Sequence, residues 1–575
     1  MKEPSTRLRW ALLGAVVAVS GAVVWAAFNP APHTGGDNAG YVTLAYSLLK
    51  NGTYTELFDP AGPPHTKYPP VFPALLAGLM ALGARTWTSL KAVAVLSTVG
   101  ASALTYLWAE RRLGPVWGAG VAVVLALSSA VVYYSHWILS DPTFLAFTVM
   151  ALWALDRADE GRADGAPVDA RGGADGPTSA TGGGLGWLAL GVAAAGLAYF
   201  TRSAGLPLLV AVPAWLALRR RWRALAATTV ALAFPALLWA LRARGVGTAD
   251  YSAEFWLVDP YDPSRGRVGA VGLLARAVSN FQGYVAIHVP SGIVGTRGGA
   301  VAALGVVLVG VAAVGWIRRG RSRVGPAEIF VPLYAGLILV WPVVWSGDRF
   351  ALPLLPLLLV YAASALKDVL EPRGRAWAAV AGGAAFLVLV LPAAASWSRA
   401  VQESRACAAA VRVGGPFACY GPRIGAFAEA AEWSGENLPE GSSVLTRKPR
   451  IFYVLSGVPS RTFPFDETTR AHLSLAASLG TRYELVDQWD GQAGRFVVAA
   501  VRGDPGAFCS VRTFGADGGT VLLGILPADA PGRASAAGDG SVRIEGCAGD
   551  YVRGDGTALY DASSSRIPLL AGLDP

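Results

Sequence analysis

Long apolar runs recur through the first two thirds of the chain, and they constrain its fold more than any other feature. A helix needs about 20 mostly apolar residues to cross a bilayer. Runs of this kind lie near residues 10–28, 87–108, 115–134, 138–156, 186–200, 204–218, 224–241, 298–316, 327–345, 350–366 and 376–396. They predict a polytopic α-helical membrane protein with about eleven transmembrane helices.

The composition agrees with this prediction. Only 15% of the 575 residues are charged and 53% are hydrophobic, whereas soluble chains carry about 25% charged residues. A soluble cytosolic enzyme and a disordered chain are therefore both excluded. The 48 Lys and Arg residues outnumber the 39 Asp and Glu residues, but the positive charge lies in short loops. There it sets membrane orientation and does not indicate nucleic-acid binding.

Basic clusters fix the predicted orientation. With eleven crossings and a cytoplasmic N-terminus, each of these clusters is cytoplasmic. They precede the first run and follow the second, sixth, eighth and tenth: Lys2, Arg7 and Arg9; Arg111 and Arg112; Arg219, Arg220, Arg221 and Arg223; Arg318, Arg319, Arg321 and Arg323; Lys367, Arg373 and Arg375. If residues 71–82 also crossed the membrane, Arg111 and Arg112 would lie outside. We therefore predict that this stretch is an interfacial or re-entrant helix. We expect a multi-pass protein of the plasma membrane with its C-terminal part outside.

Composition divides the chain into two predicted domains. Residues 1–396 form the transmembrane module, and residues 397–575 form a small extracytoplasmic α/β domain. Within the module we expect three long loops. They are a first outer loop at 29–86, a disordered cytoplasmic loop at 156–185 that is rich in Gly, Ala and Asp, and an outer loop at 242–297.

The C-terminal domain has soluble-type patterning. We predict an amphipathic helix at 426–438 and a short helix at 448–457. The predicted strands lie at 442–447, 482–488, 495–501 and 520–526.

All four cysteines lie in this domain, which suggests two disulfides and an oxidising compartment. Four cysteines allow three pairings. The simplest joins neighbours in sequence, Cys407 with Cys419 and Cys509 with Cys547.

Two acidic residues stand out at the predicted outer face. Asp37 opens the apolar stretch YVTLAYSLL, and Asp141 stands in Ser140-Asp141-Pro142 before the fourth run. Each could simply cap a helix. Two carboxylates at one membrane surface could instead serve acid/base chemistry or cation binding.

Several motifs together resemble a known family. They are Gly36-Asp37 with Tyr41, then Gly52 and Tyr54, PHTKYPPVFPALLA (64–77), Asp141, YFTRSAGLP (199–207) and WSGDRFALPLLPLLLV (345–360). Their order resembles the GT-C glycosyltransferases over most of residues 10–366. The nearest branch is the bacterial one related to protein O-mannosyltransferases and lipid A aminoarabinose transferases (glycosyltransferase family 39). The tail stretch WSGENLPEGSSVLTRKPRIFYVLSG (433–457) is similar to the extracytoplasmic tail of many bacterial members.

The resemblance implies roles for individual residues. Asp37 would be the general base or would orient the acceptor, and Asp141 would be the second acid. The donor phosphate would be held by Lys67, Arg202 and Arg349, with Tyr41, His65 and Tyr68 as further substrate-binding residues. The alternatives are snorkelling interfacial arginines at 202 and 349 and a solvated loop histidine at 65. Asn38 follows Asp37 where many relatives have a second acid, so the need for a divalent metal stays open.

The predicted function is therefore a membrane glycosyltransferase. It would move a hexose or pentose from a polyprenyl-phosphate donor to a lipid, glycan or protein acceptor on the outer face of the membrane. Membrane lipid is an expected partner, and nucleic acid is not. No Walker loop is present, and no nucleotide cofactor is expected. The alternative is a transporter or flippase for a lipid or polar solute with a receptor-like ectodomain. Transporters usually place their acids near the bilayer midplane, within internal repeats.

Overall fold

The computed structural model describes residues 6–160, 180–244, 246, 251–260, 262, 265–527, 544–547, 549–553 and 566–573. These residues form two compact units. The first, here the helical unit, contains the described residues of Met1–Phe28, Thr66–Phe72 and Ala92–Glu403. The second, here the sheet unit, contains those of Asn29–His65, Pro73–Lys91 and Ser404–Pro575.

Helices dominate the described residues. In chain order they are α1 Thr6–Ala26, α2 Gly36–Asn51, α3 Val71–Ala81, α4 Trp87–Leu90, α5 Ala92–Leu113, α6 Pro115–Leu127, α7 Ser129–Tyr134, α8 Asp141–Glu160, α9 Ala180–Thr201, α10 Leu206–Leu218, α11 Trp222–Arg242, α12 Tyr251–Phe255, α13 Ala270–Gly283, α14 Val289–Val294, α15 Gly299–Ser322, α16 Pro326–Leu339, α17 Asp348–Ala351, α18 Leu355–Leu370, α19 Arg375–Gly414, α20 Pro422–Asn437, α21 Pro449–Ser456, α22 Thr469–Leu479 and α23 Gln492–Gly503.

Seven helical stretches among the described residues are long and apolar enough to cross a membrane. They are Thr6–Ala26, Trp87–Leu113, Gly184–Thr201, Trp222–Arg242, Gly299–Ser322, Asp348–Arg373 and Ala376–Gly414. Shorter apolar helices are Val71–Ala81, Pro115–Leu127, Ser203–Leu218 and Pro326–Leu339. The count of eleven crossings stays a prediction. Helices α8 and α9 extend into the ends of the predicted cytoplasmic loop 156–185, and residues 161–179 lie outside the described residues.

Small residues let the helices of the helical unit pack closely. A Cβ atom at Gly315 of α15 would lie 2.0 Å from the backbone carbonyl oxygen of Tyr361 in α18. One at Gly191 of α9 would lie 2.6 Å from the side chain of Leu155 in α8. Lipid gives helices little hydrophobic reason to associate, so close backbone approach and dispersion contacts must hold them together. Substitution of either glycine would push the paired helices apart.

Charged residues mark the two ends of α8. Asp141 begins the helix, and near its other end Asp156 and Asp159 accept hydrogen bonds from Arg112 and Arg219, respectively. Eighteen residues of α-helix rise about 27 Å, close to the roughly 30 Å of bilayer hydrocarbon. Charges are costly within that hydrocarbon. The spacing of these charges is compatible with the predicted crossing at 138–156, which stays a prediction because α8 is not among the seven candidate spans.

A buried polar network fixes the Asp156 end. Arg112 donates to Asp156 at 2.6 Å and to Glu328 at 2.8 Å. Tyr361 donates to the same Glu328 at 2.7 Å, and the indole of Trp108 donates to Asp156 at 2.8 Å. These bonds join α5, α8, α16 and α18 at one end of the unit. Because each carboxylate is paired with Arg112, their burial is compensated.

The sheet unit contains a five-stranded sheet. Its strands are β1 Val444–Leu445, β2 Ser460–Arg461, β3 Tyr483–Val486, β4 Phe508–Phe514 and β5 Thr520–Ile525, in the order β2-β1-β3-β5-β4. Strand β1 is parallel to β2 and β3, and β5 is antiparallel to β3 and β4. Disulfides join Cys407 to Cys419 and Cys509 to Cys547, the pairs favoured by sequence proximity.

One predicted strand is wrong. Residues 495–501 (RFVVAAV) lie within helix α23, not in a strand. The buried residues of this helix are Ala493, Phe496, Val497, Ala500 and Val501, spaced as one helical face. The β-branched run alone suggested a strand, but the burial follows the longer helical period.

Candidate functional site

Asp141 is the centre of a charged cluster in the helical unit. It is the first residue of α8, and only 2% of its surface is exposed. Arg202 donates from Nη1 to Oδ1 at 2.5 Å. Arg349 donates from Nε to Oδ1 at 2.9 Å and to Oδ2 at 2.8 Å. The cluster thus joins three residues that sequence analysis selected separately.

Local backbone structure explains why two arginines reach Asp141. Arg202 has extended dihedrals, φ −147° and ψ 134°, at the break between α9 and the 3₁₀ turn Ser203–Gly205. Gly205 keeps this break compact, because a Cβ there would lie 2.7 Å from the backbone of Tyr199. Arg349 lies in the four-residue helix α17. Its neighbour Asp348 pairs with Nδ1 of His288 at 3.1 Å, which ties α17 to the π-helical segment Tyr284–His288.

A second ion pair lies beside the same stretch of chain. Lys67 Nζ is 3.0 and 2.8 Å from the two carboxylate oxygens of Glu254 in α12. The same ammonium lies 5.3 Å from the ring centroid of Trp345. Trp345 precedes Arg349 by four residues, so one short segment contacts Lys67 and supplies Arg349. We call Lys67, Asp141, Arg202, Glu254, Trp345 and Arg349 the charged cluster.

The cationic side chains of the charged cluster are more exposed than its central carboxylate. Side chains of Lys67, Arg202 and Arg349 are 21%, 13% and 25% exposed, whereas that of Asp141 is 2% exposed. Both oxygens of Asp141 accept hydrogen bonds from guanidinium groups. In this arrangement Asp141 orients two guanidinium groups, and such groups bind phosphate oxygens through paired N–H donors.

The remaining predicted site residues are divided between the two units. Tyr68 belongs to the helical unit and is 7% exposed. Asp37, Tyr41 and His65 belong to the sheet unit. Asp37 is half-buried in the first turn of α2, and Gly35, not Asp37, is the N-cap residue. The predicted pairing of Asp37 with Asp141 for acid/base work stays a prediction.

His65 is buried inside its own loop. It is 1% exposed, and its Nδ1 lies 2.8 Å from a carboxylate oxygen of Glu56. The ring also stacks edge-on with Tyr54 at 5.6 Å. The solvated loop histidine considered above does not match this burial. These contacts give His65 a role in holding the loop, and a substrate contact stays a prediction.

The described residues of this cluster do not suit a metal ion. Among the described residues, no group of three His, Cys, Asp or Glu side chains is placed to hold one. Both oxygens of Asp141 already face arginines, which would repel a divalent cation.

Sequence reasoning missed four residues around this site: Glu254, His288, Trp345 and Asp348. Asp348 and Trp345 lie within WSGDRFALP, the stretch that supplied Arg349, so their proximity could have been noticed. Glu254 and His288 lie in the predicted outer loop 242–297, for which sequence analysis proposed no site residue. Their partners are at least 60 residues away in sequence, and no local pattern reveals such pairs.

Comparison with known proteins gives the fold. No family model and no curated protein matches the sequence. Among solved structures, ArnT from Cupriavidus metallidurans bound to undecaprenyl phosphate has a TM-score of 0.53 at 15% identity and covers 90% of this chain and 98% of its own. An oligosaccharyltransferase from Archaeoglobus fulgidus, in complex with zinc and sulfate, has a TM-score of 0.53 at 15% identity over 87% of this chain and 72% of its own.

A second structure of an Archaeoglobus fulgidus enzyme, AglB with an inhibitory peptide and a dolichol-phosphate, has a TM-score of 0.51 at 14% identity. It covers 90% of this chain and 75% of its own. The chain has the GT-C fold that these membrane proteins share. It is a polytopic helical membrane protein with a small sheet domain.

Proposed function

We propose that this protein is an integral membrane glycosyltransferase that takes a sugar from a polyprenyl-phosphate donor and passes it to an acceptor at the outer face of the membrane. The observation that supports this most directly is the pair of guanidinium groups held on Asp141. A polyprenyl phosphate brings a lipid tail and an anionic group to the membrane surface. Arg202 and Arg349 offer fixed, partly exposed donors for that anionic group.

The chemistry is a substitution at the anomeric carbon of the donor sugar. The acceptor hydroxyl oxygen forms a bond to that carbon, and the bond from the carbon to the phosphate oxygen breaks. The departing oxygen keeps the electron pair, so negative charge grows on the polyprenyl phosphate. Arg202 and Arg349 stabilise this charge in surroundings with little water, where preorganised donors act strongly. Lys67 adds a third cation.

A base must take the proton of the acceptor hydroxyl. Asp141 suits this poorly because both of its carboxylate oxygens already accept hydrogen bonds from Arg202 or Arg349. Asp37, half-buried in the first turn of α2, is our candidate. Asp37→Asn should lower kcat by about a hundredfold or more while the variant melts as the parent does. Undiminished turnover in a well-folded Asp37→Asn protein would remove this assignment.

The proposal is tested with purified protein in nanodiscs and synthetic undecaprenyl-phosphate hexoses and pentoses. We expect release of undecaprenyl phosphate from at least one donor. Arg349→Gln should reduce that release by roughly ten- to a hundredfold, because a charge-assisted contact contributes about 1.5–3 kcal/mol.

Arg219→Gln is the matched control. Arg219 also forms an ion pair, with Asp159 at 2.7 Å, and its side chain is 31% exposed. It follows the C-terminal end of α10, whereas Arg202 precedes the N-terminal end, about 20 Å of helix away. Equal losses in the two variants would mean that Arg349 acts only through folding. Sugar transport across the bilayer without hydrolysis or transfer would favour the transporter alternative.

A further inference from the structure

The carboxyl ends of two neighbouring parallel strands in the sheet unit form a second polar site. The chain leaves β1 through Thr446, Arg447 and Lys448 and then enters α21. It leaves β3, the parallel neighbour of β1, through Asp487 and the residues up to Asp490. In open α/β sheets, ligands bind outside the carboxyl ends of parallel strands. We call this the carboxyl-edge cluster: Thr446, Arg447, Lys448, Asp487, Trp489 and Asp490.

Two buried polar groups in this cluster are not hydrogen-bonded by the described part of the chain. Asp487 is 3% exposed; its Oδ1 accepts from the backbone N–H of Trp489 at 2.8 Å, but its Oδ2 accepts from no described residue. The hydroxyl of Thr446, a fully buried residue, likewise has no partner among the described residues. Buried polar groups are normally satisfied. Their occurrence together at a strand edge points to a ligand that supplies the missing bonds.

The charges around Asp487 restrict the chemistry of that ligand. Asp490 lies 2.8 Å from Nε of Arg447 and 3.6 Å from Nζ of Lys448. These cations and Asp490 also act electrostatically on Asp487, so two cations and two carboxyl groups share the cluster. A phosphate would be repelled by the carboxylates, and a divalent cation would be repelled by Arg447 and Lys448. A neutral ligand rich in hydroxyl groups meets neither repulsion.

Hydroxyl groups suit both kinds of side chain, because each can donate and accept. A ligand hydroxyl can donate to Oδ2 of Asp487 and another can accept from Lys448. Burial raises the pKa of Asp487 to about 6, so the carboxylate that accepts is present at neutral pH. Trp489 adds an apolar surface for sugar C–H groups. Phe427 packs against that indole in a T-shaped contact, with 4.9 Å between the two ring centroids.

We propose that the carboxyl-edge cluster binds a neutral oligosaccharide. The argument for binding stands on this cluster alone. That the oligosaccharide is the acceptor glycan of the transfer reaction rests, in addition, on the proposed function. The site would then select a glycan acceptor over a lipid or protein acceptor.

The binding test uses the full chain in nanodiscs at pH 7.5. The probes are a panel of neutral oligosaccharides of glucose, mannose, galactose and arabinose, four to six units long, with inorganic phosphate and Ca²⁺ as rival ligands. At least one oligosaccharide should bind saturably. Asp487→Asn and Lys448→Met should each raise its Kd at least tenfold. Two variants are used so that a folding defect in one leaves the other informative.

Asp517→Asn is the matched control. Like Asp487, Asp517 accepts a hydrogen bond through Oδ1 from the backbone N–H two residues further on, at 3.2 Å. Unlike Asp487, it is exposed, in the turn between β4 and β5. This control should bind as the parent does. The site assignment is overturned if no oligosaccharide binds, or if both cluster variants bind unchanged. It is also overturned if phosphate or Ca²⁺ binds instead and is lost in those variants.

The two proposals fail separately. Arg349→Gln should lose transfer and keep oligosaccharide binding, whereas Asp487→Asn should raise KM for a glycan acceptor with little change in donor KM. Oligosaccharide binding by a parent protein that transfers no sugar would end the proposed function and leave the binding site standing. Sugar transfer without oligosaccharide binding would end the binding-site proposal and leave the proposed function standing.

Discussion

At the scale of single residues, Asp141 has two possible roles. It can cap helix α8, or it can hold Arg202 and Arg349 in place, and the two roles predict different losses of stability. A cap alone contributes about 1 kcal/mol. A carboxylate shared by Arg202 and Arg349 contributes more, because its loss leaves two cations facing a neutral amide. Since these arginines are 13% and 25% exposed, water reduces the cost below that of a fully buried pair, about 3–5 kcal/mol.

We therefore predict that Asp141→Asn lowers the free energy of unfolding by about 2–3 kcal/mol and also impairs transfer. Thermal unfolding followed beside donor turnover measures both effects. Glu254→Gln is a useful comparison, since the one cation that pairs with Glu254 among the described residues is Lys67. If Asp141→Asn lost only about 1 kcal/mol of stability and kept full turnover, Asp141 would act only as a helix cap.

Glu432 is the residue whose titration should be easiest to observe. Burial, with the like charges of Glu436 and Glu429, raises the pKa of Glu432 to about 7. Because the folded state holds this proton more tightly than the unfolded chain, stability falls as pH rises from about 4.5 to 7 and stays lower above that. Glu432→Gln removes the ionisation. It should stabilise α20 by about 1–2 kcal/mol at pH 8, after allowance for solvent screening, and by little at pH 5.

Hydrogen exchange of the α20 amides measures this locally, independent of the membrane helices. Glu467→Gln is the control, because Glu467 forms an exposed pair with Arg495, with the two side chains 57% and 65% exposed. Equal protection of α20 in the parent and in Glu432→Gln at pH 8 would show that Glu432 titrates normally.

At the scale of elements, the short segments between helices hold the charged cluster. Lys67 precedes α3, Glu254 lies in α12, and Trp345 precedes α17. If Lys67 binds the donor phosphate, Lys67→Met should raise the donor KM by roughly ten- to a hundredfold. Glu254→Gln should leave donor KM unchanged or lower it, because the Glu254 carboxylate then no longer competes with the donor phosphate for the Lys67 ammonium. Steady-state kinetics on both variants distinguish the roles: a purely structural pair would give equal losses.

Sequence patterns predicted elements well where a single period dominates. The helix at 426–438 and the strands at 482–488 and 520–526 match α20, β3 and β5. The stretch 495–501 failed because its β-branched residues also lie on one helical face. In the site, Arg202 and Arg349 could be selected because arginines beside apolar runs are conspicuous. Glu254 and His288 could not, since their partners come from distant parts of the chain.

At the scale of the whole molecule, the length of α8 can be compared with the thickness of a membrane. Its two ends have charged residues about 27 Å apart, close to the thickness of bilayer hydrocarbon. This spacing is compatible with the predicted fourth crossing, but it does not say which face is cytoplasmic. The orientation comes only from the basic clusters of the sequence, so it stays a prediction.

We predict that the segment 161–179 is cytoplasmic and that the sheet unit is outside. All four native cysteines form disulfides, so an engineered cysteine would be the free thiol that reacts. Asp169→Cys tests the segment, and Ser478→Cys tests the sheet unit at an exposed position of α22. In intact cells, a membrane-impermeant maleimide should label Ser478→Cys and leave Asp169→Cys unlabelled until the membrane is opened. The positive-inside rule requires this result, because Arg111, Arg219 and Arg323 must lie on the same side as residue 169. Labelling of both cysteines in intact cells would refute the topology, and with it an outward-facing site for the charged cluster.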